Sequence, residues 1–268
     1  MTATNTVFAG SIPAVYDQYM VPLVFAPYAS LVAERAASFQ PRHILETAAG
    51  TGVVTEALHR AVPHAEIVAT DLNPPMLEQA KRRLGHGTVR FQQADAQSLP
   101  FNDGSFNLVV CQFGLMFVPD KVRANSEARR VLRDAGRYML VIWDHIDRNV
   151  ATKTAGRAVA DLFPGEAARF YERVPFGYHD VGKIEQDLRA AGFTSVEFET
   201  VELRSCAASA RDAAIALVQG TPMRSDIEQI DPAMLGKATD AAAGALAQFE
   251  GPEGFDAPMS AHLVTATK

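Results

Sequence analysis

The sequence predicts an α/β fold built on a doubly wound, mostly parallel sheet, and three observations carry that prediction. Between residues 41 and 144, short apolar runs alternate with helical patterns, as strands covered on both faces by helices require. A Gly50-Thr51-Gly52 turn separates the first run from the first helical pattern, the arrangement of a nucleoside-binding loop. An acidic residue, Glu46, Asp71 or Asp95, closes or follows each of the first three runs.

The elements follow in order. Residues 1–40 form an N-terminal helical segment, with a helix at 29–39. Met1–Ala33 has no Lys or Arg, so it lacks the basic start of a secretory signal. Met20–Pro27 is too short to span a bilayer and contains two prolines. His43-Ile44-Leu45 reads as the first strand and 53–62 as the helix after the glycine turn. Ala65–Thr70 is the second strand. Asn73 then offers an N-cap, with Pro74 and Pro75 pre-setting a helix at 75–84. Val89-Arg90-Phe91 is the third strand, Leu108–Cys111 the fourth and Tyr138–Trp143 the fifth, with a helix at 120–133 between the last two. A helix at 182–191 precedes the sixth strand, Thr194–Val201, and Ala261–Ala266 is the seventh.

Charge selects the ligand of the glycine turn. Gly50 and Gly52 let the backbone approach a ligand that a β-carbon would exclude. Glu46 beside them repels the pyrophosphate of a dinucleotide and attracts the ammonium and sulfonium of S-adenosylmethionine (AdoMet). Asp71 lies about 20 residues past the turn, where a carboxylate accepts from both ribose hydroxyls. Asp95 is placed to accept from an adenine amino group.

These residues resemble a known family. Ile44-Leu-Glu-Thr-Ala-Ala-Gly-Thr-Gly52, Ala69-Thr-Asp71-Leu-Asn-Pro-Pro-Met76-Leu77, Ala94-Asp95-Ala96-Gln97-Ser-Leu-Pro-Phe101, Ser105–Phe117 and Glu127-x-x-Arg130-Val-Leu132 are similar to successive motifs of class I AdoMet-dependent methyltransferases, nearest the small-molecule group that includes quinone C-methyltransferases. The resemblance is firm over residues 41–144. It implies a seven-stranded Rossmann-like methyltransferase sheet, with the last strand antiparallel between the fifth and sixth. It implies that Glu46 and Ala48–Gly52, with Thr51, hold the methionine moiety, that Asp71 holds the ribose and that Leu72 and Met76 pack on the adenine. Asp95 and Ala96 would read the adenine edge, and Gln112 would line the methionine side. Two departures stand out: Ala48 replaces the first glycine of the usual loop, and Asp134-Ala135-Gly136 replaces the usual Pro-Gly-Gly turn.

The chain reads as one methyltransferase domain, with a core at 41–204 interrupted by a lid at 146–180. An alanine-rich helical insertion at 205–257 precedes the last strand at 258–268. The insertion suits either a substrate cover or a dimer face. With 268 residues, 48% of them hydrophobic, the chain can bury a full core. A formal charge of −6 gives no footprint for a polyanion, so nucleic acid is a poor substrate. Two cysteines make no disulfide framework, which points to a reducing, cytoplasmic setting. The histidines show no metal spacing.

The expected activity is methyl transfer to a small aromatic or apolar metabolite, O- or C-methylation before N-methylation, with S-adenosylhomocysteine as product. Phe113, Met116, Phe117 and Trp143 are candidate acceptor walls. His145 and, behind it, His179 are candidate general bases. Two alternatives are a protein that keeps AdoMet for non-methylating chemistry and an NAD-linked oxidoreductase, although Thr55 stands where the third glycine of a dinucleotide loop belongs.

Overall fold

The computed structural model describes residues 12–85, 89–163 and 170–268. The break expected at Pro164-Gly165 and the isolated His86 lie outside the described residues. The chain divides into two compact units.

One unit, Tyr28–Trp143, Tyr178–Val201 and Ala261–Lys268, is built on the sheet. Strands β1 (His43–Glu46), β2 (Glu66–Asp71), β3 (Arg90–Gln93), β4 (Phe106–Gln112) and β5 (Leu132–Trp143) run parallel, β1 pairing with both β2 and β4. The strand β8 (Gly254–Thr267) lies antiparallel on β5 and separates it from β6 (Ser195–Ala207), giving the order β3-β2-β1-β4-β5-β8-β6. That antiparallel insertion is the one the family resemblance implies. Ile44, Leu45, Leu108, Val109 and Val110 are wholly buried, which explains why β1 and β4 read as continuous apolar runs and not as alternation. Helices α3 (Val53–Ala61), α4 (Pro74–Leu84), α5 (Lys121–Val131) and α8 (Val181–Ala190) complete this unit, with most of α2 (Ala26–Ser38).

Three local expectations need correction. Asn73 sits at the start of α4 without capping it by its side chain. Pro74 and Pro75 carry no N–H for it to accept, and the Asn73 amide turns back to Asp71 instead, its backbone N–H donating at 2.8 Å. The helix expected at 120–133 ends at Val131, and β5 begins six residues before Tyr138. Ala135, at φ 60, forms an irregularity inside the strand where its register against β4 shifts. There are eight strands and not seven among the described residues: β7 (Glu250–Gly251) makes a short hairpin with β8.

The other unit comprises Met1–Pro27, Asp144–Gly177 and Glu202–Ser260. It starts with α1 (Ile12–Val15), which continues as a π-helical stretch, Tyr16–Phe25, containing Pro22. It also holds α6 (Val150–Ala160), the short α7 (Phe170–Arg173), α9 (Ala210–Gln219), α10 (Met223–Ile230) and α11 (Met234–Leu246). Helix α11 packs on α9 and α6. Ala213, Ala214, Ala216, Ala238 and Ala242 are fully buried, so small side chains let helices meet closely. The insertion is therefore three helices. Its flanks are strand, because the alternation Val201-Glu202-Leu203-Arg204 continues β6 to Ala207. Within 146–163, the expected lid holds a 3-10 turn, Ile146–Arg148, and α6, whose Ala151, Ala155 and Val159 are buried. No helix among the described residues is long and apolar enough to cross a membrane.

Candidate cofactor site

The site grows from the carboxyl ends of β1, β2 and β4. Glu46 closes β1 with 2% of its surface exposed. Its carboxyl accepts the hydroxyl of Thr55 at 2.6 Å. Burial pushes the Glu46 pKa up to about 8, the Thr55 bond opposes that rise and the charge of Asp71 adds to it. Thr55, read in sequence only as a missing glycine, is thus the polar partner that makes a buried glutamate tolerable.

Asp71 closes β2. One carboxylate oxygen accepts the Gly50 N–H at 2.9 Å and the other accepts Asn73 N–H at 2.8 Å. Burial raises its pKa, and the bonds from Asn73 and Gly50 counter that. Sequence reasoning assigned this residue to a ligand. The structure adds a second task, tying the end of β2 to the glycine turn.

The turn leaves no room for a larger residue at Gly52. Gly52 has φ 84, and a β-carbon there would stand 2.9 Å from Ala80 Cβ on α4, so the turn brings α3 and α4 together. The Thr51 hydroxyl is buried with no hydrogen-bond partner among the described residues, while the Thr51 carbonyl accepts Arg83 Nε at 3.1 Å. Leu72, next to Asp71, is 51% exposed, whereas Met76 is buried.

Asp95 sits in a tight loop. Its carboxylate accepts Gln97 N–H at 2.8 Å, and its carbonyl accepts Ser98 N–H at 2.9 Å. A clamp from α5 shapes the rest of the loop. Glu127 accepts Leu99 N–H at 2.8 Å and forms a two-pronged pair with Arg130 at 2.7 and 2.8 Å. Arg130 also donates to the carbonyls of Leu99 and Phe101 at 2.9 and 2.7 Å. Arg130 thereby draws the Glu127 pKa below its ordinary value.

Gln112, half-buried, ends β4. Phe113 stacks on Trp143 with centroids 3.7 Å apart, and Tyr28 meets both rings edge-on at 5.3 and 5.8 Å. Tyr28 is the member that sequence reasoning missed, because an aromatic within a helical pattern is ordinarily core. Met116 is buried and Phe117 partly exposed.

The two histidines fall in different units. His145 is exposed at the start of a 3-10 turn, Ile146–Arg148. Its Nδ1 accepts Asp147 N–H at 3.2 Å, so hydrogen bonding assigns the proton of the neutral ring to Nε2. The adjoining backbone is held by Asn149, whose amide donates to the Ser260 carbonyl at 3.0 Å and accepts Ser260 N–H at 3.1 Å. His179, half-buried, precedes Asp180, which caps α8 by accepting Lys183 N–H at 2.7 Å.

A buried carboxyl pair, a turn closed to β-carbons and an orphaned buried hydroxyl at Thr51 fit a nucleoside that carries positive charge near the turn. These features suit a nucleoside-cofactor α/β enzyme. Residues 44–136 match the methyltransferase domain family. A demethylmenaquinone methyltransferase of Deinococcus radiodurans is 37% identical over 179 residues, covering 60% of this chain and 71% of that protein. Among solved structures, a Haemonchus contortus N-methyltransferase in complex with phosphomonomethylethanolamine and S-adenosylhomocysteine shares the fold at TM-score 0.52 and 17% identity, over 85% of this chain and 48% of that one. A cyclase shares it at TM-score 0.56 and 20% identity, over 91% and 80%. The chain belongs to the class I AdoMet-dependent methyltransferases of the quinone methyltransferase type. Its cofactor is AdoMet, which removes the NAD-linked alternative.

Proposed function

We propose that this enzyme methylates a quinone-type aromatic acceptor in its reduced, hydroquinone form, by C-methylation in preference to O-methylation. The observation that carries the reading is the Tyr28–Phe113–Trp143 aromatic set at the ends of β4 and β5. Phe113 directly follows Gln112, and all three rings are buried, so the set forms a packed aromatic floor beside the expected methionine side. The demethylmenaquinone methyltransferase relative supports the acceptor class.

Each cofactor residue has a proposed task. Glu46 and the Ala48–Gly52 turn hold the methionine end, Asp71 accepts from the ribose hydroxyls, Leu72 and Met76 flank the adenine, Asp95 and Ala96 meet its edge, and Gln112 lines the methionine side. AdoMet supplies an activated methyl group on a sulfonium. The protein therefore has mainly to orient the acceptor and exclude water. Because the Nδ1 of His145 already accepts a backbone N–H, its proposed role is donation from Nε2 to an acceptor oxygen; the new C–CH3 bond forms as the S–CH3 bond breaks, and the ring C–H proton lost on rearomatisation passes to solvent water. His179 and the remaining apolar candidates, Met116 and Phe117, are placed behind these.

The test is methyl transfer from labelled AdoMet to reduced demethylmenaquinone, with the product resolved by mass spectrometry. A ring-methylated product with stoichiometric S-adenosylhomocysteine is expected. Transfer only to phenolic oxygen of other aromatics would overturn the acceptor, and AdoMet binding without any transfer would favour the non-methylating reading.

A further inference from the structure

Gly114 and Ala48 meet on two adjoining loops with space for one methyl group between them. A β-carbon built on Gly114 would stand 2.4 Å from Ala48 Cβ and 2.9 Å from Cys111 Sγ, closer than packed carbon atoms approach. Both loops are also held in a conformation that side chains resist: Ala48 has φ 54 and Phe113, immediately before Gly114, has φ 53. Such left-handed residues are strained and persist only where their surroundings enforce them. The enforcement is visible. Phe113 N–H donates to the Val141 carbonyl at 2.8 Å, and Phe117 N–H donates to the Gly114 carbonyl at 3.0 Å. On the other side, Ala49 N–H donates to Thr70 and Thr47 N–H to Val110, both at 2.9 Å. The buried Cys111 thiol is hydrogen-bonded with the Thr47 side chain and with the backbone at Gly114 and Leu115, bridging the two loops.

We propose that Ala48 and Gly114 are a size-matched pair of positioning residues, which sets the spacing between the glycine-rich turn and the loop after β4 and so fixes Gln112 and Phe113 relative to bound AdoMet. The methyl that Ala48 carries in place of the family's usual glycine fills the volume that Gly114 leaves open. The matched contact stands on the geometry alone; its effect through Gln112 rests on the placement of that residue proposed above.

The experiment is a swap of the methyl across the contact, read by calorimetry with AdoMet, with thermal unfolding followed in parallel. Gly114→Ala should weaken AdoMet tenfold or more, the scale of a loop forced apart at a binding site. Ala48→Gly/Gly114→Ala should recover affinity to within about threefold of the parent, a recovery that independent effects on stability would not produce. Adding Cys111→Ala to the swap removes the second close contact. Full affinity in Gly114→Ala, or additive losses in both swapped variants, would overturn the pairing. If Gly114→Ala does not fold, refolding of either swapped variant supports the pair and failure of both overturns it. Gln112→Ala separates the readings: unchanged AdoMet affinity there removes the role of Gln112 and leaves the pair to be judged on the swap.

Discussion

The ends of β1 and β2 bury carboxyl groups, whereas the helical unit buries alanine. At the sheet, Glu46 and Asp71 are enclosed and each is held by specific donors, Thr55 in one case and Gly50 and Asn73 in the other. In the helical unit, Ala213, Ala214, Ala238 and Ala242 line closely packed helices, joined at the edges by the Gln219–Thr239 hydrogen bond at 3.0 Å and the Arg211–Asp240 ion pair. Buried carboxyls are costly unless a partner repays them, so their retention marks a place where a ligand's charge is needed. Close alanine packing has no such implication. The contrast teaches that the strand ends rely on a few specific polar partners, while the helical contacts rely mainly on volume.

The sharpest test of that contrast is Asp71→Ala, which removes the proposed ribose acceptor and the partner of Gly50 N–H together. AdoMet should bind about ten- to a hundredfold more weakly, a loss of roughly 1.5–3 kcal/mol. Calorimetry on the folded variant decides it, and unchanged affinity would remove Asp71 from the site.

Protons should compete with the cofactor at Glu46. With its pKa near 8 in the free protein, the side chain is protonated at pH 7 and must ionise to face a cation. Affinity should therefore rise about tenfold per pH unit below pH 8 and level off above it, with proton release on binding. For the free protein the sign is opposite. A carboxyl whose folded pKa exceeds its unfolded value contributes stability that is complete below the unfolded pKa, near 4.5, and lost as pH rises through about 8. Glu46→Gln should flatten both profiles; an unchanged slope of affinity against pH would show that another group titrates.

A smaller effect is expected at His145. Loss of one orienting donor should lower kcat roughly tenfold in His145→Ala, short of the 10²–10⁴-fold typical of general-base removal. Steady-state kinetics at several pH values distinguishes the two, since a base would also remove the acidic limb of the profile. The smallest change in AdoMet affinity is predicted for Ala242→Leu in α11. Overpacking should cost about 1–3 kcal/mol of stability while the Kd for AdoMet stays within about twofold. A large loss of affinity there would break the division of labour between the two regions.

The positions of the proposed cofactor residues were legible, because such residues are tied to strand ends and turns. A carboxylate at the end of a buried strand and a glycine before a helix are rare enough to read singly, and Glu46, Asp71 and Gly52 all stand where the residues placed them. Thr55 was not legible, because a hydroxyl pointing to a carboxyl nine residues away looks the same in sequence as any buried threonine. Ala48 seemed a small change from glycine, yet its positive φ and its contact with Gly114 depend on a loop more than 60 residues distant. The strand at 132–137 was hidden by Asp134-Ala135-Gly136, whose turn-like composition conceals an irregular but continuous strand. The helical unit was legible only as helix-favouring, since alanine reports propensity and says little about partners.

The Glu127–Arg130 clamp separates the shape of a loop from its side chains. Leu99 and Phe101 are gripped through main-chain N–H and carbonyl groups, which every amino acid except proline presents alike. Surface positions such as Ser98 and Asn102 are therefore free to drift over evolutionary time, and available to an engineer retuning the region, while the path of the backbone is inherited from two residues on a neighbouring helix.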